Sequence, residues 1–213
     1  MLRHYKGSLG EFDYDDDVFR VEIYNSSDIL HYIGNEKTVS LPNGCTSTKY
    51  MFSNRSLPKG FSLYEGFDTR DVHNMVGMFY NCDLPDGFSL GSGFNTDDVL
   101  IMDDMFRGCH AHSTLNLGSM FSTKHVDFMD RMFAEAKFDN GLILGDNFDT
   151  SNVISMNEMF RACEVGSKFS LGDKFDTSNV KYFGAMFYCF KFPDRSSTLL
   201  VLKLGPRLKV VCA

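Results

Sequence analysis

The chain has 213 residues and a mass of 24.2 kDa, enough for one large domain or two small ones around a buried core. Apolar residues make up 43% and charged residues 23%, which excludes a disordered tail, and no stretch approaches the ~18 consecutive apolar residues of a membrane-spanning helix. A formal charge of −7 and a sequence pI near 5.3 argue against a surface built to grip phosphate backbones.

The N-terminal stretch Met1 to Gly10 shows no apolar run and no small-residue cleavage site, so no export signal is visible. The chain as it stands reads as cytoplasmic, and as a surface protein if a leader precedes it. Residues 1–36 carry three basic and eight acidic side chains. Within them Phe12, Tyr14, Val18, Phe19, Val21, Ile23 and Tyr24 have the pattern of a β-hairpin.

A repeat follows. Met-Phe pairs stand at Met51-Phe52, Met78-Phe79, Met105-Phe106, Met132-Phe133, Met159-Phe160 and Met186-Phe187, 27 residues apart each time. This explains the unusual 21 Phe and 12 Met in a chain with no Trp. Other columns keep the register: Val72, Val99, Val126, Val153 and Val180; Met75, Met102, Met129 and Met156, closed by Phe183. Leu63, Leu90, Leu117, Leu144 and Leu171 form a third column, and Phe67, Phe94, Phe121, Phe148 and Phe175 a fourth. A polar column runs through Thr69, Thr96, Thr123, Thr150 and Thr177. A fixed period between about 20 and 50 residues marks a solenoid, in which each unit covers its neighbour's apolar face.

Within one unit, Phe-x-Leu alternates as a short strand does and the following Gly ends it. Asp-Thr-Ser-Asn is turn chemistry, because short polar side chains bond back to nearby backbone. The Val-x-x-Met-x-x-Met-Phe spacing predicts a short strand at Val running into a helical or 3-10 turn. Cys82, Cys109 and Cys163 fall on one core column and read as reduced, buried thiols. Pro58 and Pro85, each with a Gly two residues on, mark the corner into the next unit.

The ends of such a stack expose the core and need caps. Residues 1–37 supply one, residues 38–192 form the array, and residues 193–213 supply a C-terminal β cap. In the last segment Thr198–Leu204 and Arg207–Val211 read as two strands joined by a Gly-Pro turn. The expected fold class is therefore an α/β repeat solenoid of about six 27-residue rungs, with short parallel strands and short helical turns, capped at both ends.

The generalised unit, F-x-L-G-x-x-F-D-T-S-N-V-x-x-M-x-x-M-F-x-x-C, is clearest from Phe169 to Phe187. It closely resembles the Met-Phe variant of the BspA-type leucine-rich repeats, short-repeat units of many bacterial surface proteins and lipoproteins. The resemblance covers about residues 38 to 192. It implies a leucine-rich-repeat-like solenoid and binding rather than catalysis, although neither a lipoprotein signal nor a wall anchor is seen here.

His110 and His112 beside Cys109 have the residue types of a metal cluster. A zinc site needs three or four convergent ligands, and no second half appears at the customary spacing, so they read as corner residues and no metal site is expected. The columns Asp68, Asn95, Asp149, Asp176 and Asp71, Asp98, Asn152, Asn179 lack the carboxylate density of calcium repeats and read as turn caps. Departures from the consensus are scattered and assemble no catalytic set, and the glycines form no phosphate loop. Neither an enzyme nor a cofactor is expected.

Recognition remains. Between the Val and Met columns lie two variable positions per rung: His73-Asn74, Leu100-Ile101, Asp127-Phe128, Ile154-Ser155 and Lys181-Tyr182. If Val and Met point inward, one of each pair points out, or else the pleat tucks both inside. The candidate partner-binding face is Asn74, Ile101, Asp127, Phe128, Lys181 and Tyr182, since exposed aromatic and aliphatic residues mixed with charge suit a protein partner. The leading expectation is a non-enzymatic protein-protein interaction module of binding or adhesion type, contacting neither nucleic acid nor membrane directly. A second is a small acidic inhibitor from a phage or mobile element that occupies the nucleic-acid channel of a host protein. A third is a carbohydrate or small-ligand binder, although Trp is absent and most Phe are periodic.

Residues 188–213 carry a net charge of +4 against −5 over residues 1–36, so head-to-tail self-association is a further expectation beside simple capping. Light scattering at low and high salt separates the two. Self-association requires a mass that falls as salt rises, whereas a monomer at both leaves capping alone.

Overall fold

The computed structural model describes residues 2–14, 21–24, 29–34, 38–63 and 67–191. Its chain order opens with two antiparallel hairpins: β1 (Arg3–Gly7) pairs with β2 (Gly10–Tyr14), and β3 (Val21–Tyr24) with β4 (Ile29–Tyr32). Tyr5, Leu9, Phe12, Tyr14, Leu30 and Tyr32 from these hairpins are buried in the same core as the repeat columns. Tyr32 lies 5.3 Å from Phe52 and 5.8 Å from Phe61, ring to ring, so a cap residue continues the aromatic packing of the first rung. The hairpin expected from Phe12 to Tyr24 is thus two hairpins; Val18 and Phe19 lie outside the described residues, as do the C-terminal strands expected beyond Lys191.

Among the described residues, every pairing between strands beyond the hairpins is parallel. β5 (Thr38–Val39) pairs with β6 (Ser62–Leu63). One sheet has the order β12-β10-β8-β7, from Glu164–Val165, Lys137–Phe138, His110–Ala111 and Asp83–Leu84. Another has the order β13-β11-β9, from Lys168–Ser170, Gly141–Ile143 and Leu115–Asn116. The partners in the two larger sheets, such as Asp83 with His110 and Leu115 with Leu142, are 27 residues apart. The second sheet is the strand expected at Phe-x-Leu. The first follows the Cys column, where no strand was expected.

No helix occurs among the described residues, and the expected helical turn is replaced by a chain of hydrogen-bonded β-turns. In the rung from Thr96 to Cys109, the amides of Val99, Met105, Arg107 and Cys109 donate to the carbonyls three residues earlier. The amides in between turn outward: those of Asp104, Phe106 and Gly108 donate to Asp130, Met132 and Ala134 of the next rung at 2.8–2.9 Å. Two columns of left-handed residues within this turn run enforce the alternation. One column holds Tyr50, Gly77, Asp104, Arg131, Glu158 and Ala185 at φ 54–58°, and another holds Asn54, Asn81, Gly108, Glu135, Ala162 and Cys189. Helix cannot continue through such positions. Gly77 is needed for a second reason: an added Cβ would lie 2.0 Å from the Tyr50 ring.

Stacking of like on like fills the interior. Phe52, Phe79, Phe106, Phe133, Phe160 and Phe187 form one continuous pile with centroids 5.2–5.6 Å apart and planes within 10°. Phe67, Phe94, Phe121 and Phe148 form a second at 6.2–6.4 Å. Parallel rings this far apart are offset, the arrangement the ring quadrupole favours. The buried Thr column answers the polar requirement. Thr69, Thr96, Thr123 and Thr150 each donate a hydroxyl to a carbonyl 26 residues on, at 2.6–2.8 Å. Cys45, Cys82, Cys109 and Cys163 are buried free thiols, and burial pushes Cys45 up to about 12 and raises the other three well above the usual thiol range. They are core side chains rather than nucleophiles.

Phe106 is fully buried between Phe79 and Phe133, whereas Phe187, half-buried at the end of the described pile, stacks on Phe160. Phe106→Ala is expected to cost about 3–5 kcal/mol in urea unfolding, and Phe187→Ala clearly less. Equal losses would show that stacking inside the array is not what stabilises it.

Candidate functional site

The columns between Val and Met form a narrow parallel ladder one residue wide. Bridges join Ser47 to Asn74, Asn74 to Ile101, Ile101 to Phe128, Phe128 to Ser155 and Ser155 to Tyr182. Each bridge is framed by two amide bonds; for the Ile101–Phe128 pair they run from Asp127 N–H to Leu100 and from Met102 N–H to Phe128. Between the buried Val and Met columns both residues of each pair are at least partly exposed, except in the rung where Ser155 is buried. The alternation expected of a simple pleat, one in and one out, is therefore not what is found.

Phe128 is 38% exposed and Tyr182 58% exposed, with Ile101 and Asn74 half-buried beside them. Lys181 is exposed and Asp127 half-buried. Leu100, in the companion column and absent from the expected set, is 44% exposed. Its signal in the sequence was its position beside Ile101; the assumption of a strict pleat hid it. Ser155, by contrast, is buried, with its hydroxyl donating to Asp130 Oδ1.

That bond belongs to a polar ladder bordering the face. Asp103 Oδ1 accepts the Asp130 N–H at 2.7 Å, Asp130 Oδ1 accepts the Asn157 N–H at 2.7 Å, and Asn157 Oδ1 accepts the Gly184 N–H at 2.9 Å. Side-chain acceptors thus bind the backbone of the next rung and fix the ladder's spacing. On the loop before the Val column, Asn95, Asp149 and Asp176 each accept the amide two residues on at 2.7–2.9 Å, the turn-capping role expected for that column.

The structure brings together something the sequence reading set aside. Around β8 Cys109 and Ala111 are buried against the core, while His110 and His112 are turned outward together. Parallel register places Asp83 beside His110 from one neighbouring rung, and Asp139 lies one period beyond His112 from the other. His112 Nε2 lies 2.9 Å and His110 Nδ1 3.8 Å from Asp83 Oδ1. His110 Nε2 lies 3.0 Å and His112 Nδ1 3.6 Å from Asp139 Oδ2. Ser56 Oγ donates to Asp83 Oδ2 at 2.8 Å, and Lys137 Nζ meets Asp139 Oδ1 at 2.8 Å. Two carboxylates thus converge on the histidines from one period away on each side, a juxtaposition that local spacing does not show. Lys137, then His110, hold the Asp139 carboxyl below the usual range.

In this polar ladder Asp103 is the most clearly perturbed carboxyl. Burial pushes its carboxyl up to about 6; the Asp130 N–H pulls the other way, Asp130 and Asp104 add to the rise, and Arg131 opposes it. A folded-state value above the unfolded one means that neutral Asp103 stabilises the fold, fully below about pH 4 and progressively less as pH rises through 6. Asp103→Asn should be neutral at pH 4 and stabilising by about 1 kcal/mol at pH 8, a figure discounted for partial exposure. Denaturant titrations at the two pH values check this, and a difference that does not change with pH contradicts it.

No curated protein and no solved structure matches the chain. Two stretches, residues 46–165 and residues 115–199, match the family described as "Mycoplasma protein of unknown function, DUF285". Together they run through the whole of the repeated region from Thr46 onward, the part in which every column above is found. On that coverage the protein belongs to this Mycoplasma family of unknown function, DUF285.

Proposed function

We propose that the chain is a leucine-rich-repeat-like solenoid of the BspA kind and works as a non-enzymatic module that binds another protein through the ladder face. The 27-residue register of the parallel pairings supports the architecture. The observation that carries the function is an apolar strip formed by exposed Leu100 and Phe128 with half-buried Ile101 between them in the middle of the ladder, and exposed Tyr182 further along it. These side chains sit above a core that is already filled, so burying them is not needed to complete the fold. A rigid row of aromatic and aliphatic groups flanked by Asp127 and Lys181 is the composition of a protein-binding patch.

The acidic-inhibitor reading draws less support from the surface. Asp104 is held by Arg131 at 2.9 Å and Glu135 by Arg161 at 2.7 Å, while Asp68 is engaged by Arg70. Much of the negative charge is thereby answered within the molecule rather than offered to a basic channel.

The double variant Phe128→Ser/Tyr182→Ser tests the binding reading. It should unfold within about 1 kcal/mol of the parent, as exposed substitutions do, yet lose a partner that the parent captures from the native cell lysate. A stability loss of about 3–5 kcal/mol would make the two rings core residues, and an unchanged set of captured proteins would place recognition elsewhere.

A further inference from the structure

We propose that Asp83, His110 and His112 form a binding site for a divalent first-row metal ion of the Zn²⁺ type. One atom from each of the three lies within 4.8 Å of the others. A tetrahedral ion with bonds of about 2.0–2.1 Å needs ligand atoms roughly 3.3–3.4 Å apart. The Asp83 Oδ1 separations of 2.9 Å to His112 Nε2 and 3.8 Å to His110 Nδ1 bracket that length. Small rotations of the side chains then place one oxygen and two nitrogens around a single point, with the remaining position open to water. Two imidazoles and a carboxylate select zinc, cobalt, nickel or copper over magnesium and calcium, which favour all-oxygen sites.

The outer partners are those a metal site requires. A ligating histidine usually donates its second ring N–H to a carboxylate, which fixes the ring and raises its basicity. His110 does so towards Asp139 at 3.0 Å from its Nε2, leaving Nδ1 for the metal. The ligand carboxylate is itself oriented, since Ser56 holds its second oxygen and leaves Oδ1 turned to the imidazoles. Lys137 decides which carboxylate binds the ion. Its ammonium sits 2.8 Å from Asp139, so a cation is repelled from that side and the Asp83 side is favoured. Asp139 is therefore a positioning residue and Asp83 the ligand. Cys109, next in the chain, is excluded as a ligand because its thiol lies fully buried on the other face of the strand.

The site is a property of the stack. His110 and His112 come from one rung, Asp83 from the rung before and Asp139 from the rung after, so an ion here ties neighbouring units together and stabilises the folded array over the unfolded chain. It is separate from the apolar ladder residues, and its failure would leave the binding reading untouched.

Titration of untagged protein with Co²⁺, followed by its visible absorption, and competition by Zn²⁺ test the site. The expected result is one saturable Co²⁺ per chain, displaced by Zn²⁺, without thiolate charge-transfer absorption. His112→Ala and Asp83→Asn should abolish it. Asp139→Asn should weaken it by about 10- to 100-fold. His125→Ala, an exposed histidine whose Nδ1 meets the Asp97 carbonyl at 2.8 Å, should leave it unchanged. All variants are checked for parental circular dichroism. Absence of saturable binding, parental affinity in His112→Ala or Asp83→Asn, or a thiolate band overturns the assignment.

Discussion

Each residue in the repeated region meets its own counterpart 27 positions away, and the rest of the structure follows from that contact. Backbone amides and carbonyls of one unit find partners in the next, while Phe stacks on Phe and each Thr hydroxyl donates to the carbonyl just before the next Thr. The apolar contribution scales with area buried, and a ring enclosed on both faces by its twins is removed from water almost entirely. Because the same contact recurs, a side chain that fits once fits in every unit, and one that does not is excluded from every unit. This is why a single small set of residue types dominates the composition.

Identity between units also imposes a backbone requirement. Neighbouring units can bond only if their amides point along the stack, and a helix would consume those amides internally. The two left-handed columns in the turn run settle the conflict by directing alternate N–H groups outward. The cost of placing Tyr50, Arg131 or Glu158 at positive φ is met by the bonds made along the array. Where Gly77 occupies the same column, the neighbouring Tyr50 ring has taken the space a side chain would need.

Function is then confined to positions the stack leaves free. Core columns vary little, so chemistry collects on the outer face of the short strands and on the paired positions of the ladder. The histidine–aspartate cluster and the Leu100–Phe128 strip are both of this kind. Each is assembled from side chains one or two units apart, and neither exists in any single unit taken alone. A change in a unit's register would dismantle both while leaving the sequence of every unit intact.

The repeated columns, the strand at Phe-x-Leu, the buried thiols and the turn-capping acids were legible in the amino-acid order, because periodicity records which side chains must stack and short polar residues record where turns form. The spacing of three and four between Val99, Met102, Met105 and Phe106 was legible too, but its meaning was not: successive β-turns and a helix produce nearly the same apolar interval, and only the direction of the amides distinguishes them. Likewise, the order showed His110 and His112 without their carboxylates, and Phe128 without Leu100. Tertiary structure decided these, since what lies beside a residue in a stack is the residue one whole period away, a neighbour that local spacing does not reveal.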